Sequence, residues 1–285
     1  MPMAAFALHR PDRLTSRVVF ASPHSGNDYP EALLRDSVLD RHAIRSSEDA
    51  FVDRLFDCAP EFGAPLLAAA APRAYVDLNR AANELDPALI EGIRRGPHNP
   101  RVASGLGVIP RVVANGRAIY CGKIPEAEAM DRLERVWAPY HARLQQLLDD
   151  AHDAHGEAIL IDCHSMPHEA VASLARGGRR AEVVIGDRFG ASAGAGIVDR
   201  IEAAFVAQGF VVARNAPFAG AYTTQQYGRP GRARHAVQVE IDRALYMDEA
   251  TIRPHDGFEP LRAALRGVIA EIASLGQHEM PLAAE

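Results

Sequence analysis

Lysine is almost missing from this chain. Of its 31 basic residues only Lys123 is not arginine, so a lysine nucleophile at any other position is excluded. Cysteine is scarce too. Cys58, Cys121 and Cys163 form no CxxC pair, and an odd count makes a poor disulfide framework, so a reduced, cytoplasmic chain is expected. No apolar run approaches the length of a membrane span. Met1 to Arg10 lacks the charged and apolar regions of a signal peptide. The net charge of −6 argues against a nucleic-acid surface, which would be basic, though a local arginine cluster could still receive a small anion. Neither GxGxxG nor GxxxxGK[ST] occurs, which removes the usual nucleotide loops. Repeats, low-complexity runs and obvious linkers are also lacking.

What is present alternates. The length, 285 residues at 48% apolar and 24% charged, suits a globular protein with a large core. Short apolar runs at Val18–Ala21, Ala158–Ile161, Ala181–Ile185, Phe210–Ala213 and Val237–Ile241 read as buried strands. Pro65–Ala71 and Ala74–Leu78 read as strands or extended segments. Helical periodicity marks Glu31–Leu39, Ala50–Ala59, Pro125–Asp153, Ala191–Gln208 and Pro260–Leu275. Pro139 should kink or break the longest of these, and Gly209 should cap the helix before it. Asn83–Gly107, rich in Gly, Pro, Arg and Asn and without a clear period, reads as a long loop, functional or mobile. Strands alternating with helices predict a three-layer α/β domain with a mixed, mainly parallel sheet.

Two histidines follow such strands, His24 in Ser22-Pro23-His24-Ser25-Gly26 and His164 in Asp162-Cys163-His164-Ser165. Ligands bind at the carboxyl ends of strands in open α/β sheets, so two imidazoles there could converge on one metal ion. The competing role for each is a turn histidine bonded to backbone. A hydrolytic zinc site needs a third protein ligand. Glu48 and Asp49 both qualify by position, and both would equally suit the first turn of a helix capped by Ser46 or Ser47. Glu240 interrupts the apolar run Val237–Ile241. A buried carboxylate is costly unless it is paired, here with Arg243, lies at a sheet edge, or is functional as a general base. Asn79 and Arg80, after Ala74-Tyr75-Val76-Asp77-Leu78, could hold a carboxylate, since guanidinium binds it bidentately. Arg73, Arg94, Arg95 and Arg214 could add positive charge. Asn215–Pro230 is polar and aromatic enough to form a substrate loop.

Gly190-Ala191-Ser192-Ala193-Gly194 matches GxSxG literally. Gly186 to Phe189 separate it from its strand, so it reads better as the opening of the next helix than as a nucleophile elbow. Cys163 and His164 are neighbours on an extended segment and should point to opposite faces, which disfavours a dyad.

The ordered series Ser22–Gly26, Glu48–Leu55, Tyr75–Arg80, Asp162–Ser165 and His235–Glu240, with Asn215–Pro230 and Tyr246–Glu249, resembles the N-formylglutamate amidohydrolases. The match runs from about Val18 to Glu249. It implies a fold like the zinc-dependent carboxypeptidases, with a phosphorylase/hydrolase-like architecture over 1–285 as one domain. It also implies cleavage of N-formyl-L-glutamate to formate and glutamate in histidine degradation. The His-x-x-Glu ligand pair of those enzymes is altered here to His24-Ser25-Gly26-Asn27, and the family pattern then points to Asp49 as the third ligand.

The expected site is therefore His24, Asp49 and His164 on zinc or another divalent metal, Glu240 as general base, and Asn79 and Arg80 on a substrate carboxylate. Tyr222, Thr224 and Gln226 are expected to line the substrate pocket. The expected partner is a small acidic N-acyl amino acid, with no nucleic acid and no membrane. Three alternatives stand beside this: a deacylase of another N-acyl acidic amino acid, a metallocarboxypeptidase, and a non-enzymatic binder of acidic amino acids.

Overall fold

The computed structural model describes residues 4–94, 96–172, 175–176 and 179–276. Its centre is a sheet of seven strands: β1 (Phe6–His9), β2 (Val18–Ser22), β3 (Leu66–Ala69), β4 (Ala158–Met166), β5 (Val183–Gly186), β6 (Val212–Arg214) and β7 (Arg234–Asp242). They lie in the order β1-β3-β2-β4-β7-β5-β6. The pairs β3–β2, β2–β4, β4–β7 and β5–β6 are parallel, whereas β1–β3 and β7–β5 are antiparallel. The mixed, mainly parallel sheet expected from the sequence is present.

Each face is covered, so the central strands are buried throughout. On one face Val18, Phe20, Ile159, Ile161, Cys163, Val237, Val239 and Ile241 pack against helices Ala195–Ala207 and Phe258–Ala273. On the other, Val19, Ala21, Leu160 and Ala236 pack against helix Ala138–His155 and the chain around Val76–Ile124. Among the described residues no helix is long and apolar enough to cross a membrane.

Several elements differ from the sequence expectation. β4 and β7 each run nine residues, so His164 lies within a strand rather than after one. Ala50–Ala59 holds only a single α-helical turn, Val52–Leu55, which starts after Phe51 at φ 68 and ends at Phe56. Ser46 and Ser47 therefore cap nothing there. Ala74–Leu78 joins no strand, since Tyr75 and Val76 fold back onto the carbonyl of Pro72 in a turn. Pro139 does not break its helix. Glu126–Arg132 passes through a π turn at Leu133–Trp137 into Ala138–His155, and the widened turn absorbs the amide that proline lacks. Gly209, at φ 88, follows the end of Ala195–Ala207 as expected.

His141 ties this helix to the site-bearing loops. Its Nε2 lies 3.0 Å from the carbonyl of Leu78 and its Nδ1 2.8 Å from the Tyr227 hydroxyl. Burial pushes its pKa down to about 4. An unfolded histidine titrates near ~6.5, so between those values the unfolded chain binds a proton that the folded chain refuses. Stability should therefore fall as pH drops from about 6.5 towards 4, with His141 contributing about 2 kcal/mol of the loss by pH 5. Urea unfolding of the wild type and His141→Gln at pH 7.5 and 5 checks this, and an equal pH dependence in both would contradict it.

Candidate active site

Along one face of β4 and β7, alternate residues change from apolar to polar: Leu160, Asp162, His164 on one strand and Ala236, Gln238, Glu240 on the other. The register sets Asp162 beside Gln238 and His164 beside Glu240. Cys163 points to the opposite face, into the core, as alternation requires. His24 arrives from β2 through a tight turn in which Gly26 presses on Ala71. A Cβ at Gly26 would sit 2.1 Å from the Ala71 carbonyl oxygen, so no side chain fits. Asp49 is held to this turn by its amide, which donates to the His24 carbonyl at 3.0 Å.

The result is a compact donor set. His24, Asp49 and His164 are all buried, and one ligand atom from each lies within 4.8 Å of the others. Asp49 Oδ2 is 2.9 Å from His164 Nδ1 and 3.4 Å from His24 Nδ1. The outward ring nitrogens are braced. His24 Nε2 lies 2.7 Å from Asp77 Oδ1, while His164 Nε2 lies 3.3 Å from Asn79 Nδ2 and 3.1 Å from Asp162 Oδ2 without hydrogen-bond geometry to the latter. The remaining Asp49 oxygen accepts from Arg243 Nη2 at 2.9 Å. The group could bind a metal: it offers two imidazole nitrogens and a carboxylate oxygen, and His24 Nδ1 is buried without a hydrogen-bond partner. Carboxylate and amide groups behind both rings are the usual device for orienting metal-binding histidines.

The structure separates the two acidic candidates that spacing left equal. Glu48 turns away, accepting from Tyr29 Oη at 2.6 Å and from Arg45 at 3.0 Å, so it is a structural residue. Neither acid lies in the first turn of a helix. Glu240 lies on an interior strand and does not pair with Arg243, which is committed to Asp49 and Ser165. It accepts from Gln238 Nε2 at 2.8 Å.

Burial dominates the electrostatics. It pushes Glu240 up to about 7 against the pull of His164. It opposes ionisation of Asp49 as well, yet a hydrogen bond from His164 and the nearby His24 ring hold that carboxyl well below the usual range. Asp77 is likewise held low against burial, by Arg73 and His24.

A cavity of about 720 Å3 opens onto these groups. It is lined by His24, Asp49, His164, Glu240, Asn79 and Arg80, with Arg73, Asp77, Arg101, Gln238, Arg243 and the Pro217–Ala221 segment. Arg80 is buried and makes no surface ion pair. Its Nε and Nη1 donate to the carbonyls of Leu106 and Asn79. Asn79 Oδ1 accepts from the amide of Thr223 at 2.8 Å. Tyr222, Thr224 and Gln226 do not line this cavity. Residues 222–227 form a helix that turns them aside: Tyr222 packs on Trp137 and His141, Thr224 Oγ1 bonds the Ala221 carbonyl, and Gln226 lines a neighbouring cavity. Arg214 pairs with Asp199 and Glu202 outside the site, Arg94 borders a separate cavity, and Arg95 lies outside the described residues. Ser192 is a buried strut whose hydroxyl donates to Ala236, so GxSxG has no catalytic meaning here. The sequence reading missed Asp77, Asp162, Gln238 and the Arg243–Asp49 bond.

A covered α/β sheet with buried nitrogen and oxygen donors and a further buried carboxylate at its strand ends defines a site that could hold a metal. The chain belongs to the N-formylglutamate amidohydrolase family, whose model matches residues 16–247. It is 30% identical over 266 residues to the N-formylglutamate deformylase of Pseudomonas aeruginosa, covering 91% of this chain and 94% of that protein. The crystal structure of an N-formylglutamate amidohydrolase from Ralstonia eutropha JMP134 superposes with a TM-score of 0.89 at 35% identity, over 96% of this chain and 99% of that one. A gene product from Agrobacterium tumefaciens shares the fold at 17% identity and a TM-score of 0.65, over 95% and 96% of the two chains.

The division of labour between the acids has a direct check. Asp49→Asn should abolish zinc uptake in equilibrium dialysis. Glu48→Gln should leave uptake intact and cost about 1–3 kcal/mol in denaturant unfolding, by weakening a buried charged hydrogen-bond group. The reverse pattern would assign the ligand to Glu48.

Proposed function

We propose that this protein hydrolyses N-formyl-L-glutamate to formate and L-glutamate, with a divalent metal, zinc by its donor chemistry, held by His24, Asp49 and His164. The observation that carries the reading is Glu240, a buried carboxylate set beside His164 in the strand register and facing the same cavity as the three donors. Family membership and the names of the relatives support the substrate. A metal at this position supplies Lewis acidity, polarising the formyl carbonyl and acidifying water.

The chain's own residues do the rest. Arg80 binds a carboxylate of the glutamate moiety, and Asn79 braces it by accepting from Arg80 Nη1 at its backbone carbonyl. Glu240 takes a proton from water as the water oxygen bonds to the formyl carbon. The carbon–nitrogen bond then breaks, and Glu240 returns the proton to the departing amine. The formic acid so formed passes its remaining proton to the amine, and formate and glutamate leave. Asp77 and Asn79 keep the two imidazoles oriented throughout.

Purified protein should release formate and glutamate in equal amounts from N-formyl-L-glutamate, faster than it cleaves N-acetyl- or N-succinyl-L-glutamate. Glu240→Gln should retain bound metal and lose about 100- to 10,000-fold in kcat, the range for removal of a general acid–base group. An unchanged kcat would remove Glu240 from the mechanism, and faster cleavage of the larger acyl groups would move the substrate to another N-acyl amino acid.

A further inference from the structure

N-formylglutamate carries two carboxylates, and a guanidinium is the side chain best suited to receive each. Four arginines line the cavity. Two are already neutralised: Arg73 Nε lies 3.1 Å from Asp77, and Arg243 Nη2 lies 2.9 Å from Asp49. The other two are Arg80 and Arg101, and among the described residues neither forms an ion pair with a carboxylate. Glu84, on the same loop, directs its carboxylate to the Ala81 amide and to Asn99 Nδ2 instead.

These two free guanidinium groups are mechanically linked. Arg80 Nε donates to the Leu106 carbonyl at 2.9 Å, and the Leu106 amide donates to the Arg101 carbonyl at 2.8 Å. Arg101 is carried on a short helix, Pro100–Ala103, whose start is fixed by Asn99 Oδ1 accepting from the amides of Arg101 and Val102. Arg101 is exposed at the cavity mouth, whereas Arg80 is buried within. Burial lowers the basicity of Arg80, and the like charges of Arg73 and Arg101 lower it further against the pull of Asp77. Like charges gathered in this way are relieved when an anion spans them.

We infer that Arg101 is a specificity residue, binding the second carboxylate of a dicarboxylic amino-acid substrate while Arg80 binds the first. The inference rests on the proposed function and adds what selects an acidic side chain over its neutral isostere. It also gives the 83–107 loop a task, since that loop delivers Arg101 to the cavity.

The test is calorimetric titration of L-glutamate and L-glutamine into the wild type, Arg101→Ala and Arg101→Lys, with formate release measured on both N-formyl derivatives. The wild type should prefer glutamate. Arg101→Ala should weaken glutamate about 10- to 100-fold, the loss of one charged hydrogen-bond partner, and leave glutamine unchanged. Arg101→Lys should recover part of the loss. Equal weakening of both ligands, no weakening of glutamate, or no preference in the wild type would overturn the inference. Selectivity that depends on Arg101 without any formate release would support the inference and contradict the hydrolytic reading. Formate release with an unchanged glutamate-to-glutamine ratio in Arg101→Ala would do the opposite.

Discussion

The site depends on one buried carboxylate. Asp49 lies between two imidazoles and a guanidinium, with Oδ2 towards His24 and His164 and Oδ1 bonded to Arg243. A carboxylate this deeply buried is expensive to ionise alone, and removing its partners would leave an uncompensated charge. Three chain segments far apart in sequence must therefore meet at Asp49: the turn after β2, the end of β4 and the residues following β7. The neighbouring strands β2, β4 and β7 make that meeting possible, because parallel pairing brings their carboxyl ends to one edge.

The surrounding groups are ordered by the same logic. Each imidazole has one nitrogen towards Asp49 and the other towards a second acid, Asp77 or Asp162. The positive charge of Arg73 stabilises Asp77 in turn. Glu240 has no such cation at hydrogen-bond distance among the described residues, and burial drives it up towards neutrality. Of Asp49, Asp77 and Glu240, the two that an arginine reaches are held low and the one that none reaches is pushed up.

Much of this was legible in the sequence. Short apolar runs located six of the seven sheet strands, β1 being the exception, and His24, His164 and Glu240 stood out as polar residues attached to such runs. The motif series from Val18 to Glu249 nearly coincides with the family match over 16–247. What stayed hidden was tertiary. Reading β4 as ending at Ile161 concealed that Asp162 and His164 share a face. The period-two pattern Leu160, Asp162, His164 and Ala236, Gln238, Glu240 carried that signal, and apolar runs alone do not reveal it. Glu48 and Asp49 could not be separated by spacing, since only the positions of Tyr29 and Arg45 draw Glu48 away. Tyr222, Thr224 and Gln226 looked like pocket residues by type, but the helix over 222–227 directs them elsewhere. Pro139 signalled a break that a π turn absorbed.

The central claim is that His24, Asp49 and His164 form a metal centre. Anomalous X-ray diffraction at the zinc edge, on crystals grown with zinc, tests it most directly. The account predicts one strong peak bounded by His24 Nδ1, His164 Nδ1 and the Asp49 carboxylate. A zinc-saturated crystal with no peak there, or with its peak on other residues, would contradict it.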